Sequence, residues 1–297
     1  MKKLFSGVIM QLKIIFREVK PKMAKDYLQS KYLTVDTNVE IHYIEKGEGD
    51  PIIFIPGLTF SGDIFRAQVE YFSQRYRAIA IDPRGQGLST KGTFGNNYVT
   101  HGKDLAAFID ALGLEKVILV GWSTGNLDTW SYIEQFGTEK LKAAVTIDMS
   151  PLPLHPDPVW WTEGTIEELS EVASRVLITP EGTREFFREY AEGTMIQHPM
   201  TEEEISYLLD MSGKTPYWIC GELFASAIFS NYYDTALSVS QNLPSLMFIA
   251  EHWSDVAQPF YNKNFPGTET YVMGGHLMFF EYPAKWNSVF EKFIEKI

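Results

Sequence analysis

The chain has 297 residues, 45% of them hydrophobic and 14% aromatic, which suffices for a sizeable core and excludes a disordered chain. A net charge of −12 excludes nucleic acid as a partner, since that needs a basic footprint. The single cysteine, Cys220, excludes an internal disulfide and, within the apolar run Tyr217-Trp218-Ile219-Cys220, reads as a buried, inert thiol.

Residues 1–30 are basic on an acidic protein: Lys2, Lys3, Lys13, Arg17, Lys20, Lys22 and Lys25 outnumber Glu18 and Asp26. Leu4 or Phe5, Val8, Ile9, Leu12 and Phe16 recur at helical spacing, so an amphipathic extension is expected. Two readings stay open for it, packing on the body of the protein or a weak contact with an anionic membrane surface. Gln11 and Lys13 interrupt the apolar run and no small-residue cleavage site follows, so it does not read as a signal peptide. No stretch reaches transmembrane length, and a cytoplasmic location is expected. Met23 offers an alternative start that would leave 1–22 as a dispensable leader.

From residue 32 the pattern turns to strands. Residues 33–35 and 39–44 alternate apolar and polar, as half-buried strands do, with His42 on the outward phase and therefore read as a surface residue. Residues 45–51, with Gly47 and Gly49, read as a hairpin turn into a continuous apolar strand at 52–55. That strand ends in Pro56-Gly57-Leu58-Thr59, where backbone N–H groups become available at the edge of a sheet. A helix is expected from 61 to 72, then a buried strand over 76–81 ending in Asp82-Pro83-Arg84-Gly85-Gln86-Gly87-Leu88-Ser89. The segment 97–112 reads as a helix with Leu105, Phe108, Ile109 and Leu112 on its apolar stripe and His101 off it, at the surface.

The most informative stretch follows. A buried, β-branched strand at 117–120 runs into Gly121-Trp122-Ser123-Thr124-Gly125 and then a helix over 127–136. Gly-x-Ser-x-Gly between a strand and a helix is the pattern of a sharp turn that holds a serine hydroxyl out at the carboxyl edge of a sheet. Together, I-P-G at 55–57, D-P-R-G-Q-G-L-S at 82–89 and G-W-S-T-G at 121–125 resemble the α/β-hydrolase superfamily in order and spacing, over about residues 32–150 and 244–297. The resemblance implies a doubly wound, mostly parallel eight-stranded sheet, with Asp82 and Arg84 tying loops together and taking no part in chemistry. Many members carry His where this chain has Pro56, which keeps the N–H groups but stiffens the loop.

Another buried strand is expected at 141–147, closed by Asp148-Met149-Ser150-Pro151. The alternation of strands and helices then breaks over 151–243, a segment opened by Pro151, Pro153, Pro156 and Pro158 and rich in aromatics; it resembles the helical cap that the fold inserts between strands 6 and 7. Most of its rings should fill the cap's own core, and a minority line an apolar pocket over Ser123, with Trp122, Trp160, Trp161 and Trp218 chosen as candidates. Glu202-Glu203-Glu204 after Thr201 reads as helix capping, not a metal site, and the six histidines show no ligand spacing, so no metal is expected. Strands at 246–250 and 269–273 and an apolar-faced helix from Pro283 complete the core.

A serine hydroxyl needs a base in reach. His276 is the candidate, following a strand and Gly274-Gly275 in the order serine, acid, histidine; His252 is the rival, with His155 and His198 weaker. The acid stays open. The position after the seventh strand, where the family often has Gly-x-x-Asp, offers only Asp255, two residues late and suited to capping, and Glu251. Asp148, after the sixth strand, is preferred over Asp255, with Glu251 third, because related haloalkane dehalogenases resemble this chain in placing their acid there. The N–H groups of Leu58 and Thr124 are the expected oxyanion donors. The expected activity is that of a serine hydrolase on an ester, thioester or lactone with an apolar portion, needing no cofactor. A cofactor-free haloperoxidase or perhydrolase resembles the same arrangement, and a non-catalytic ligand sensor on this scaffold is the reading from another class. Dehalogenase and epoxide hydrolase chemistry is disfavoured, because those relatives use Asp where this chain has Ser123.

Overall fold

The computed structural model describes residues 27–157 and 159–297; the amphipathic extension expected within residues 1–30 lies almost wholly outside them, as does Pro158. The strands are β1 (Gln29–Asp36), β2 (Val39–Lys46), β3 (Pro51–Ile55), β4 (Arg77–Ile81), β5 (Val117–Trp122), β6 (Leu141–Ile147), β7 (Ser245–Ile249) and β8 (Thr268–Val272). They form one eight-stranded sheet in the order β1-β2-β4-β3-β5-β6-β7-β8, in which β1, β2 and β4 pair antiparallel and all later pairs are parallel. β1 starts at Gln29, inside the stretch assigned to the extension.

Apolar runs without polar interruption place β3 and β5 at the centre, since only strands covered on both faces tolerate them. Alternate residues go to opposite sides: Ile52, Phe54, Ile118 and Val120 join one core, and Ile53, Ile55, Val117 and Leu119 the other. The second core is closed by α2 (Tyr98–Ala111) and part of α3 (Gly125–Phe136); the first by α1 (Arg66–Phe72) and the C-terminal helix Pro283–Ile294. Strand order reverses around β3, so the carboxyl ends of β3 and β5, lying side by side, border the crevice where such sheets bind ligands.

Two expectations fail here. Residues 45–51 do not join a hairpin, because β4 lies between β2 and β3. His42 and His101 are buried. β2 is covered on both faces, and His42 bridges Asp82 Oδ2 at 2.9 Å and Ser30 Oγ at 2.8 Å. His101, on the side of α2 that meets α3, contacts Asp128 Oδ1 at 2.7 Å.

Between β6 and β7 the chain is helical: α4 (Ile166–Glu171), α5 (Pro180–Tyr190), α6 (Glu202–Ser212), α7 (Tyr217–Ile228) and α8 (Tyr233–Asn242). α4 and α6 begin with reciprocal capping boxes, Thr165 with Glu168 and Thr201 with Glu204, which accounts for the acidic run 202–204. Cys220 is buried in α7, where burial pushes its thiol up to about 12, so it carries no thiolate at neutral pH. No helix among the described residues is long and apolar enough to cross a membrane.

Candidate active site

Ser123 sits where β5 turns into α3, with φ at +53°, a left-handed conformation that a non-glycine residue holds only when its surroundings force it. Its N–H donates to Ile147 O at 2.8 Å, and Asn126 Nδ2 donates to the same carbonyl at 3.0 Å, so the turn is pinned to the end of β6. The flanking glycines are steric requirements. A Cβ on Gly125 would lie 2.3 Å from Ile55 O and one on Gly121 2.6 Å from Gly125 O, and in the facing loop one on Gly57 would lie 2.8 Å from Ser123 Cβ.

The loop after β3 is fastened by the turn after β4. Gln86 accepts the Thr59 N–H at 2.9 Å and donates to Gly57 O at 3.1 Å and Phe60 O at 3.0 Å. Asp82 accepts the N–H groups of Gly62 and Leu88, each at 2.7 Å, and Arg84 pairs with both oxygens of Asp104 at 2.7 Å. Asp82 and Arg84 thus hold loops and lie outside the cavity, as the resemblance implies. Leu58 and Thr124 line the cavity beside Ser123, and their N–H groups donate to no backbone carbonyl of the described residues.

His276 follows β8. The carbonyls of Thr194 and Met195, in the π-helical turn Ala191–Met195 that continues α5, accept the N–H groups of His276 and Leu277 at 3.1 and 2.8 Å. Trp122 Nε1 donates to His276 O at 2.8 Å, locking the loop from the other side. His276 Nδ1 lies 2.7 Å from Asp148 Oδ2, and the other carboxylate oxygen of Asp148 accepts the Ala250 N–H at 2.8 Å. A carboxylate oxygen only accepts, so in the neutral imidazole the proton sits on Nδ1 and Nε2 presents its lone pair. Nε2 has no hydrogen-bond partner among the described residues although His276 is only 2% exposed, and His276 lines the cavity with Ser123. The Ser123–His276 hydrogen bond is therefore open here, as is common before substrate tightens such contacts. Asp148 itself has φ at +51°.

The rival positions lie elsewhere. Asp255 is exposed in the first turn of the helix Ser254–Asn264. Glu251 is exposed, accepting from Gln197 Nε2 at 2.9 Å and the Gly274 N–H at 3.3 Å, so it steadies the loop before His276 without reaching the imidazole. His252 meets the Trp253 ring at a tilt at the surface, and His155 stacks on Trp160. His198 bridges Glu281 and Glu204.

The cavity holds about 490 Å³ between the carboxyl edge of the sheet and the helical insertion. Of the four tryptophans proposed to line it, only Trp122 does so. Trp161 is buried behind it against Tyr261, Trp160 borders a separate surface groove with Asp157 and Asp255, and Trp218 is 48% exposed on the outer side of α7. Aromatic content marks a segment that packs on something, and says nothing of which ring faces inward. The insertion lines the cavity instead with Phe186, Phe187, Tyr190 and Phe224. It also supplies Glu163, which sequence reasoning missed because it lies in the irregular exit from β6, with no periodicity to place it. Burial pushes its carboxyl up to about 7, with Asp148 adding to the rise, while the Ser150 N–H and His276 oppose it. Burial likewise holds the Tyr190 phenol well above its ordinary value. Among the described residues no cluster of His, Cys, Asp or Glu is placed to hold a metal ion.

The chain belongs to the α/β hydrolase fold family, whose model matches residues 50–283. It is 32% identical over 163 residues to a non-heme haloperoxidase of Rhodococcus erythropolis, covering 54% of this chain and 58% of that one. It is also 32% identical over 123 residues to a bifunctional esterase/perhydrolase of Acinetobacter calcoaceticus, covering 40% and 45%. The chain thus spans about half the length of these curated relatives. A bromoperoxidase from Bacillus anthracis shares the fold, with a TM-score of 0.81 at 20% identity over 90% of this chain and 100% of that one.

Proposed function

We propose that the protein is a serine hydrolase that cleaves a carboxylic ester, thioester or lactone with a hydrophobic portion through an acyl-enzyme on Ser123. The observation that carries this reading is the His276–Asp148 contact of 2.7 Å, which leaves His276 Nε2 unpartnered in the cavity that Ser123 lines. In this reading Nε2 takes the Ser123 proton as Oγ attacks the carbonyl carbon, and Asp148 fixes the tautomer and stabilises the imidazolium. The N–H groups of Leu58 and Thr124 hydrogen-bond the oxyanion as it forms. His276 then returns the proton to the departing alcohol or thiol. Water, deprotonated by His276, attacks the acyl carbon and releases Ser123 with the acid. The insertion 151–243 acts as a cap, and its phenylalanines favour an apolar acyl chain or ring.

Perhydrolysis is the second reading, favoured by the similarity to a non-heme haloperoxidase and an esterase/perhydrolase. Hydrogen peroxide then replaces water in the second half, and a peracid leaves in place of the acid. A chain-length series of p-nitrophenyl esters and lactones, run on wild type and Ser123→Ala with and without peroxide, tests both. Hydrolysis in wild type and its loss in the variant support the first reading, and trapped peracid exceeding free acid supports the second. Equal turnover by both proteins contradicts both.

A further inference from the structure

Glu163 stands in the wall of the cavity with a fixed pose. Its N–H donates to Pro153 O at 2.8 Å and its Oε1 accepts the Ser150 N–H at 3.2 Å, while Oε2 has no partner among the described residues. Glu168, exposed and with its Oε2 held by the Thr165 N–H and hydroxyl, is a second carboxylate in the lining, and no Lys or Arg lines the cavity. Phe186, Phe187 and Phe224 line the same cavity, and aromatic faces attract cations. The buried, unpartnered Nε2 of His276 opens into the same space, which marks it as a place for a ligand.

We propose that this cavity takes a protonated amine, so that the substrate carries an ammonium group on an apolar acyl or alcohol portion and pairs it with Glu163. As a statement about substrate this rests on the serine-hydrolase reading, but as a binding site it does not. The ionisable groups around Glu163 are Asp148 and His276 from the sheet edge, Glu168 from α4 and Tyr190 from α5. None is a fixed cation. With its carboxyl near 7, the empty cavity holds Glu163 partly as the neutral acid, and an ammonium ligand draws it into the ionised form with release of a proton. A carboxylate ligand meets repulsion from the same groups.

Calorimetric titration with n-hexylamine and n-hexanol tests this without turnover. In wild type the amine-over-alcohol affinity ratio should rise roughly tenfold between pH 6 and pH 8, as a carboxyl near 7 ionises. Glu163→Gln keeps an acceptor for the Ser150 N–H, and should lower the ratio about tenfold at pH 8 and flatten its rise. A ratio unchanged in the variant overturns the proposal. So does a rise that survives in it. Should the variant not fold, titrating wild type in two buffers of different ionisation enthalpy should show close to one proton released per amine bound at pH 6 and none per alcohol; no release overturns it. Finally, p-nitrophenyl ε-aminocaproate is compared with the heptanoate. Amine-selective binding with turnover of neither ester sinks the hydrolase reading alone, and turnover with no amine preference sinks the subsite alone.

Discussion

Two buried His–Asp pairs in this molecule share a contact distance of 2.7 Å and an Nε2 with no partner among the described residues, and differ in what lies beside that nitrogen. His276–Asp148 lies at the carboxyl edge of the sheet, with its free ring nitrogen turned to a cavity of about 490 Å³ beside Ser123. His101–Asp128 lies between α2 and α3 over the other core, and the crevice beside it holds about 10 Å³, too little for any substrate. A paired imidazole is thus a common way to satisfy a buried carboxylate. It becomes a candidate base only where a nucleophile and room for a substrate meet it.

That contrast can be broken from either side. The largest effect is expected from Ser123→Ala, which should lower kcat for esters by roughly 10⁴–10⁶ with the melting temperature preserved. Asp148→Asn should cost about 10⁴ in kcat through the wrong imidazole tautomer, and Asp255→Asn less than twofold. Asp128→Asn should do the reverse, holding kcat within a few-fold but lowering stability by about 1–3 kcal/mol in urea titrations, since it disturbs a buried hydrogen bond far from the cavity. Glu163→Gln gives a smaller, pH-dependent effect. Its carboxyl is raised from about 4.5 to about 7 on folding, so between those values the folded state binds a proton that the unfolded state has released, and stability falls as pH rises through the window. The variant should therefore melt roughly 3–5 °C above wild type at pH 8.5 and level with it near pH 4.5. Trp218→Ala, on the exposed outer side of α7, should change stability by under about 0.5 kcal/mol and kcat/KM by under twofold.

Much of the sheet edge was legible in the sequence because its constraints are local. Uninterrupted apolar runs mark β3 and β5, and glycines mark places where a Cβ would come within 3 Å of a neighbour, as one on Gly125 would at Ile55 O. Ser123 and His276 follow from such turns. The choice among Asp148, Asp255 and Glu251 did not, since all three follow strands at the same edge and only the fold shows which meets the imidazole. His42 and His101 were misread for a related reason: alternation reports one face of one element, while β1 and the loop after β4 cover His42, and α3 covers His101. The insertion was the least legible. Two of its helices announce themselves by capping boxes, but helical spacing cannot say whether Phe224 or Trp218 turns inward, and Trp160, Trp161 and Glu163 sit on irregular chain.

The most direct measurement of the central claim is mass-resolved labelling with a fluorophosphonate. Wild type should gain one adduct, on the peptide that carries Ser123, and His276→Ala should label at least about a thousandfold more slowly, because the hydroxyl has lost its base. An adduct on another residue, or labelling equally fast without His276, would contradict a nucleophilic Ser123 activated by the His276–Asp148 pair.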